Sequence, residues 1–148
     1  VAAIRQQGLA AFADSYARGP QRVQFLAKDP LGWAEFRDRL AEHDDAGAIL
    51  IFDNVQRKRP SIYSFAAEMD RSTVPTLIIV GDEDEPCLRP GIFMKQHIRT
   101  AGLAMMPVTG HTLNLEEPDS FNRLVLDFLT LVEQGHWPTR GVGGTSEP

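Results

Sequence analysis

The run Thr76-Leu77-Ile78-Ile79-Val80, stopped by Gly81, constrains this chain more than any other stretch. A continuous apolar run of that kind reads as a strand buried on both faces of a parallel sheet. Residues from about Pro90 to Thr100 can form a helix with Ile92, Phe93 and Ile98 inward, and Leu103 to Met106 is a second short apolar run. The clearest helix follows. Glu116 and Glu117 precede Pro118, which suits a first helical position, and acids near a helix start complement its dipole. Phe121, Leu124, Val125, Phe128, Leu129 and Val132 then recur at helical spacing. Strand, helix, strand, helix in that order is a parallel crossover unit, and such units place ligands beyond the carboxyl ends of their strands. Two strands alone leave both outer edges open. A missing core segment, or self-association of chains edge to edge, is therefore expected to complete the sheet.

The first seventy or so residues read differently, as helices and turns. Ile4, Leu9, Phe12, Ala13 and Tyr16 approximate one apolar face, ended by Gly19-Pro20. A short helix carries Val23, Phe25 and Leu26, and the next carries Trp33, Phe36 and Leu40. Asp44 or Asp45 can cap a further helix through Ala48, Ile49, Phe52 and Val55, closed by Pro60. The run Ala48 to Phe52 reads as helix rather than strand because it has an acidic start and a basic finish. The end of the chain from Gly135, with Gly141, Gly143 and Gly144, has the composition of a flexible tail.

Composition narrows the function classes. A net charge of −5 argues against a nucleic-acid surface. Arg57-Lys58-Arg59 is a short basic cluster and reads as a charge complement to a helix end. No apolar run approaches the roughly 18 residues of a membrane-spanning helix, so no membrane partner is expected. Cys87 is the single cysteine, which excludes an internal disulfide. With no signal-peptide pattern at Val1-Ala2-Ala3-Ile4-Arg5, a cytoplasmic location is expected.

Two motifs carry chemistry. Gly81-Asp82-Glu83-Asp84 follows the first strand and Gly110-His111 follows the second. An acid and a histidine there suit a nucleophile–base–acid triad, whose nucleophile belongs on a sharp G-x-S-x-G turn. Ser15, Ser61, Ser64, Ser72, Ser120 and Ser146 all lie outside such a pattern. The run of acids from Asp82 to Glu85 has neither the alternating ligands nor the glycine of a calcium loop, so no metal site is expected. Cys87 reads as a small packing residue. His43, His97 and His136 lack ligand-like spacing. Trp33, Phe36 and Tyr63 are candidates for a cavity lining or, more simply, for packing between helices.

From Pro75 to about Val132 the chain resembles the α/β-hydrolase family. Val74 to Asp84 is similar to that family's acid-bearing strand and turn. Gly110-His111-Thr112-Leu113-Asn114-Leu115-Glu116-Glu117-Pro118 is similar to its histidine loop and the start of its last helix. The family orders its triad nucleophile, acid, histidine, and Asp84 precedes His111 by enough for one helix and one strand. The resemblance implies an α/β fold class, the C-terminal portion of an α/β-hydrolase fold, preceded by a helical cap segment. It divides the chain into a cap over 1–72, core over 73–134 and a tail over 135–148. It implies hydrolysis of an ester, lactone or related bond in a small-molecule substrate, without a cofactor. His111 would be the base, and Asp84 the acid that orients it, with Asp82 the fallback. The chain alone would be inert for lack of the nucleophile. The alternative is a non-catalytic, hydrolase-like binding module.

Overall fold

The computed structural model describes residues 1–140. Gly141, Gly143 and Gly144, on which the reading of a flexible tail partly rested, lie outside the described residues.

Helix α1, Ala2–Ala17, is broken at Gly8, whose φ of 78° is open to glycine but strained for other residues. The break frees the Leu9 N–H, which donates to Asp45 Oδ1 at 3.0 Å. Ile4, Leu9, Ala13 and Ala17 face inward. Tyr16, expected on that face, is instead 37% exposed. A 3-10 turn at Pro20–Arg22 leads into α2, Val23–Lys28, and α3, Pro30–Ala41. Asp29 caps α3 by accepting from Gly32 N, with Pro30 in the first turn. These helices meet on Ala17, Phe25 and Trp33. Trp33 Nε1 donates to Ala17 O at 2.7 Å, and Phe36 meets Phe25 edge-on with centroids 6.2 Å apart. Helix α4, Asp45–Ile51, is capped by Asp44 and runs into a wider π turn, Phe52–Gln56, so the Ala48–Phe52 run is helical, as expected. A 3-10 turn, Ile62–Phe65, and α5, Ala66–Asp70, complete this half.

Strand β1, Thr76–Gly81, pairs in parallel with β2, Ala101–Met106, in the register Thr76↔Ala101 through Gly81↔Met106. The two strands therefore end level. Among the described residues the sheet has these two strands and no others. Helix α6, Glu85–His97, crosses between them. It begins five residues before Pro90, because Pro86 already sits in its first turn and Pro90 is carried inside at the loss of one backbone donor. Ile92, expected inward, is 42% exposed. Gly91 takes the inward place, because a Cβ there would strike Val80 Cγ2. The core here is Met69, Ile78, Val80, Ile98 and Ala101. Burial on both faces of β1 is only half realised: Ile78 and Val80 are buried, whereas Leu77 and Ile79 are only partly covered.

A short α7, Leu113–Glu116, precedes α8, Pro118–Glu133. Phe121, Leu124, Val125, Phe128 and Val132 lie half-buried along α8. Leu129, read as inward, is 45% exposed. The start of the segment read as tail returns to the sheet. The Trp137 ring covers Gly102, packs edge-on to Phe128 and donates through Nε1 to Thr100 O at 2.6 Å. Arg140 N donates to Arg99 O. Burying a large aromatic ring outweighs the local flexibility that Gly135 confers.

Phe25 is 2% exposed and joins α1, α2 and α3. Phe25→Ala is expected to lower stability by about 3–5 kcal/mol, read as a lower urea midpoint at unchanged slope.

Candidate active site

The site forms where the loops leaving β1 and β2 meet. At Gly81 the β1 backbone passes so close to the second loop that a Cβ would overlap the carbonyl oxygens of Thr109 and Gly110. Asp82 N donates to Met106 O and Glu83 N to Thr109 O, both at 3.0 Å. Val108 adopts φ 53°, a strained conformation for a β-branched residue. The Asp82 carboxylate accepts from Thr109 N at 3.1 Å, and the N–H groups of Thr109 and Val108 hold its pKa below the ordinary carboxylate value. Asp82 therefore braces the loop and is committed to the backbone.

Asp84 is the acid that meets the histidine. It stands at the start of α6, where its backbone carbonyl accepts from Cys87 N at 2.8 Å. Its side chain caps nothing, which leaves the carboxylate to face His111. Asp84 Oδ2 lies 2.7 Å from His111 Nδ1. The Asp84 side chain is 4% exposed and that of His111 is 47% exposed, so a buried acid holds a ring that reaches the surface. With the proton on Nδ1 donated to Asp84, Nε2 is free to accept one.

The histidine loop is organised by Glu116, whose structural role the sequence did not disclose. Its buried carboxylate accepts from Gly110 N at 2.7 Å, Thr112 N at 3.1 Å and Thr112 Oγ1 at 2.9 Å. His111 N donates to Gln21 O at 2.8 Å. The approach is so close that a Cβ on Gly110 would overlap that same carbonyl. The helical first half thus grips the histidine loop directly. Lys28 Nζ to Glu117 at 2.6 Å and Gln24 Nε2 to Glu83 at 2.5 Å strengthen the same junction.

A cavity of about 750 Å³ opens beside the pair. Its wall includes Tyr16, Arg22, Arg59, Tyr63, Asp84 and His111. Of the aromatics considered from sequence, Tyr63 reaches this wall, while Trp33 and Phe36 pack in the helical core. Within the basic cluster Arg57 pairs with Asp53 and Lys58 with Asn54, but Arg59 lines the cavity. Neither Arg22 nor Arg59 carries a local signal that would mark it as a wall residue. Ser61 also lines the cavity, from the start of a 3-10 turn rather than a strand-to-helix elbow. His43 bonds to Arg39 O and His97 to Asp70, each away from the site.

Cys87 does more than pack. Its Sγ lies 3.9 Å from His111 Nδ1. Burial, with the hydrogen bond to Asp84 and its charge adding to it, pushes the thiol up to about 11. Donor atoms of Asp84, Cys87 and His111 lie within 4.8 Å of one another, a convergence that three metal ligands would also show. A metal there would have to displace the Cys87 proton and break the Asp84–His111 hydrogen bond.

Two outcomes follow from this geometry. Glu116→Gln replaces one acceptor oxygen with an amide donor facing N–H groups. It is expected to cost about 1–3 kcal/mol and to move the His111 ring resonances in an NMR spectrum. Alkylation of Cys87 by iodoacetamide is expected to be slow at pH 8 and to keep rising towards pH about 11, with Asp84→Asn moving the profile to lower pH. A plateau by pH 9 in the parent protein would contradict the raised thiol, and an unchanged profile in Asp84→Asn would leave burial as its sole cause.

Comparison with known proteins agrees with this architecture. No family model matches the chain. It is 45% identical over 56 residues to serine hydrolase BPHL of Mus musculus, covering 37% of this chain and 19% of that protein. Among solved structures, MenH from S. aureus superposes with a TM-score of 0.78 at 21% identity, over 88% of this chain and 48% of that one. Est816, described as an N-acyl homoserine lactone degrading enzyme, superposes with a TM-score of 0.63 at 20% identity, over 86% and 49%. The chain spans less than half the length of the curated relatives it matches, 26%, 19% and 43% of three of them. No described helix is long and apolar enough to cross a membrane. With its parallel strand–helix–strand–helix unit and these neighbours, the chain holds part of an α/β-hydrolase fold and is similar in sequence to a serine hydrolase.

Proposed function

We propose that this chain supplies the acid and the base of a hydrolytic triad that acts on an ester, lactone or related bond in a small molecule. The observation that carries the reading is the 2.7 Å bond from a buried Asp84 to a His111 ring at the edge of the cavity. Asp84 fixes the tautomer and stabilises the imidazolium as it forms. His111 Nε2 takes the proton from the attacking hydroxyl and returns one to the leaving group. The nucleophile comes from a segment outside these 148 residues. The length of the relatives supports this, as do the open strand edges and the partly covered apolar face of α8. Residues 1–72 act as the cap, since Tyr16, Gln21, Arg22, Gln56 and Arg59 all reach the cavity from that segment. Residues 73–134 belong to the core.

The test is a 4-nitrophenyl ester assay. The 148-residue chain is expected to show no turnover above buffer. The natural polypeptide containing it, with a G-x-S-x-G strand turn encoded upstream, is expected to be active. In that protein His111→Ala and Asp84→Asn should each lower kcat by at least about 10³-fold. Turnover by the chain alone that vanishes in His111→Ala would instead place the nucleophile within it.

A further inference from the structure

Arg22 is a buried cation without an anion. The residue is 5% exposed, yet among the described residues no carboxylate pairs with it. Its Nη2 donates to Tyr16 Oη at 2.6 Å. Its Cζ lies 3.9 Å from the Tyr16 ring centroid and 5.6 Å from that of Phe36. Its Nε is buried with no partner. A guanidinium has five N–H donors, and burying one without a counter-charge is costly. The aromatic faces recover part of that cost. They leave the positive charge unneutralised.

The surroundings say where a counter-charge belongs. Arg22 lines the same cavity as Asp84 and His111, and so does Arg59. The Arg59 side chain also has no bonding partner among the described residues. Among the described residues Asp84 is the one carboxylate in the wall, and it is engaged by His111. With a neutral imidazole, two guanidinium groups face one carboxylate there. The wall thus carries a net positive charge in a chain whose net charge is −5. A carboxylate is the planar group that matches a guanidinium bidentately.

We infer that the cavity takes a substrate carrying a carboxylate, held by Arg22 with Arg59 as its second cation, while the scissile bond lies at His111. This rests on the reading of Asp84 and His111 as acid and base. Arg22 is here a specificity residue, distinct from the pair that moves the proton.

The test compares 4-nitrophenyl hydrogen glutarate with its neutral counterpart, 4-nitrophenyl valerate, using the natural polypeptide that contains this chain. In parallel, calorimetry measures binding of monomethyl glutarate and methyl valerate, which requires no catalysis. Arg22→Met is expected to lower kcat/KM and affinity for the anionic member of each pair by about ten- to a hundredfold, leaving the neutral member within about threefold. Arg22→Lys should retain part of the preference. Arg59→Gln, at an exposed position, should lower the preference by about threefold to tenfold, and it keeps the inference testable should Arg22→Met not fold. Equal treatment of anionic and neutral ligands by the parent protein would overturn the inference. So would equal losses for both in Arg59→Gln and Arg22→Lys, the mark of a purely structural arginine. Selective binding without turnover of either ester would sustain the anion site and sink the hydrolase reading. Turnover of both esters without preference would do the reverse.

Discussion

Two parallel strands that end level hold this site together. Because Gly81 pairs with Met106, the loops leaving β1 and β2 emerge side by side, and each is stitched to the other within a few residues. Gly81 permits the contact by having no side chain, and Asp82 secures it by taking a backbone N–H of the second loop. From that fixed crossing, Asp84 at the start of α6 and His111 before α7 need no further adjustment to meet. A shift of one residue in the strand register would carry the histidine loop about 3.3 Å along β1, more than enough to break a 2.7 Å bond.

A second layer of organisation comes from the helical half. Its contribution to the site is chiefly backbone and cation. Gln21 O receives the His111 N–H, and Arg22, the next residue, stands in the cavity wall. The 3-10 turn at Pro20–Arg22 is therefore the contact through which the helices address the chemistry. Its position depends on the Ala17–Phe25–Trp33 core, where the Trp33 indole ties α3 to the end of α1. Packing far from the cavity thus decides where the arginine stands.

Legibility in the sequence varied with the range of the interactions involved. The β1 run, the amphipathic α8 and the capped α3 and α4 rest on neighbours in sequence, and periodicity and capping residues reveal them. The start of α6 did not follow from its prolines, because a proline inside a helix can be offset by packing such as Gly91 against Val80. Trp137 was hidden by its glycine-rich surroundings. Its partners, Thr100, Gly102 and Phe128, are near only after the chain folds. Glu116 looked like one of two helix-start acids. Its three hydrogen bonds to the histidine loop depend on a turn that no local pattern announces.

From residue order alone came the crossover unit, the acid turn and the histidine loop, because apolar runs, glycines and prolines act over a few residues. The choice of Asp84 over Asp82 also followed from order, through resemblance to a known pattern. The tertiary structure supplied the physical distinction: one carboxylate is bound to backbone N–H groups and the other is free for a ring nitrogen. Only the fold could bring Arg22, Arg59 and the Cys87 thiol to the same cavity. Those residues lie far apart in the chain, and the charge and burial that define their chemistry exist only once the helices have closed over the strand ends.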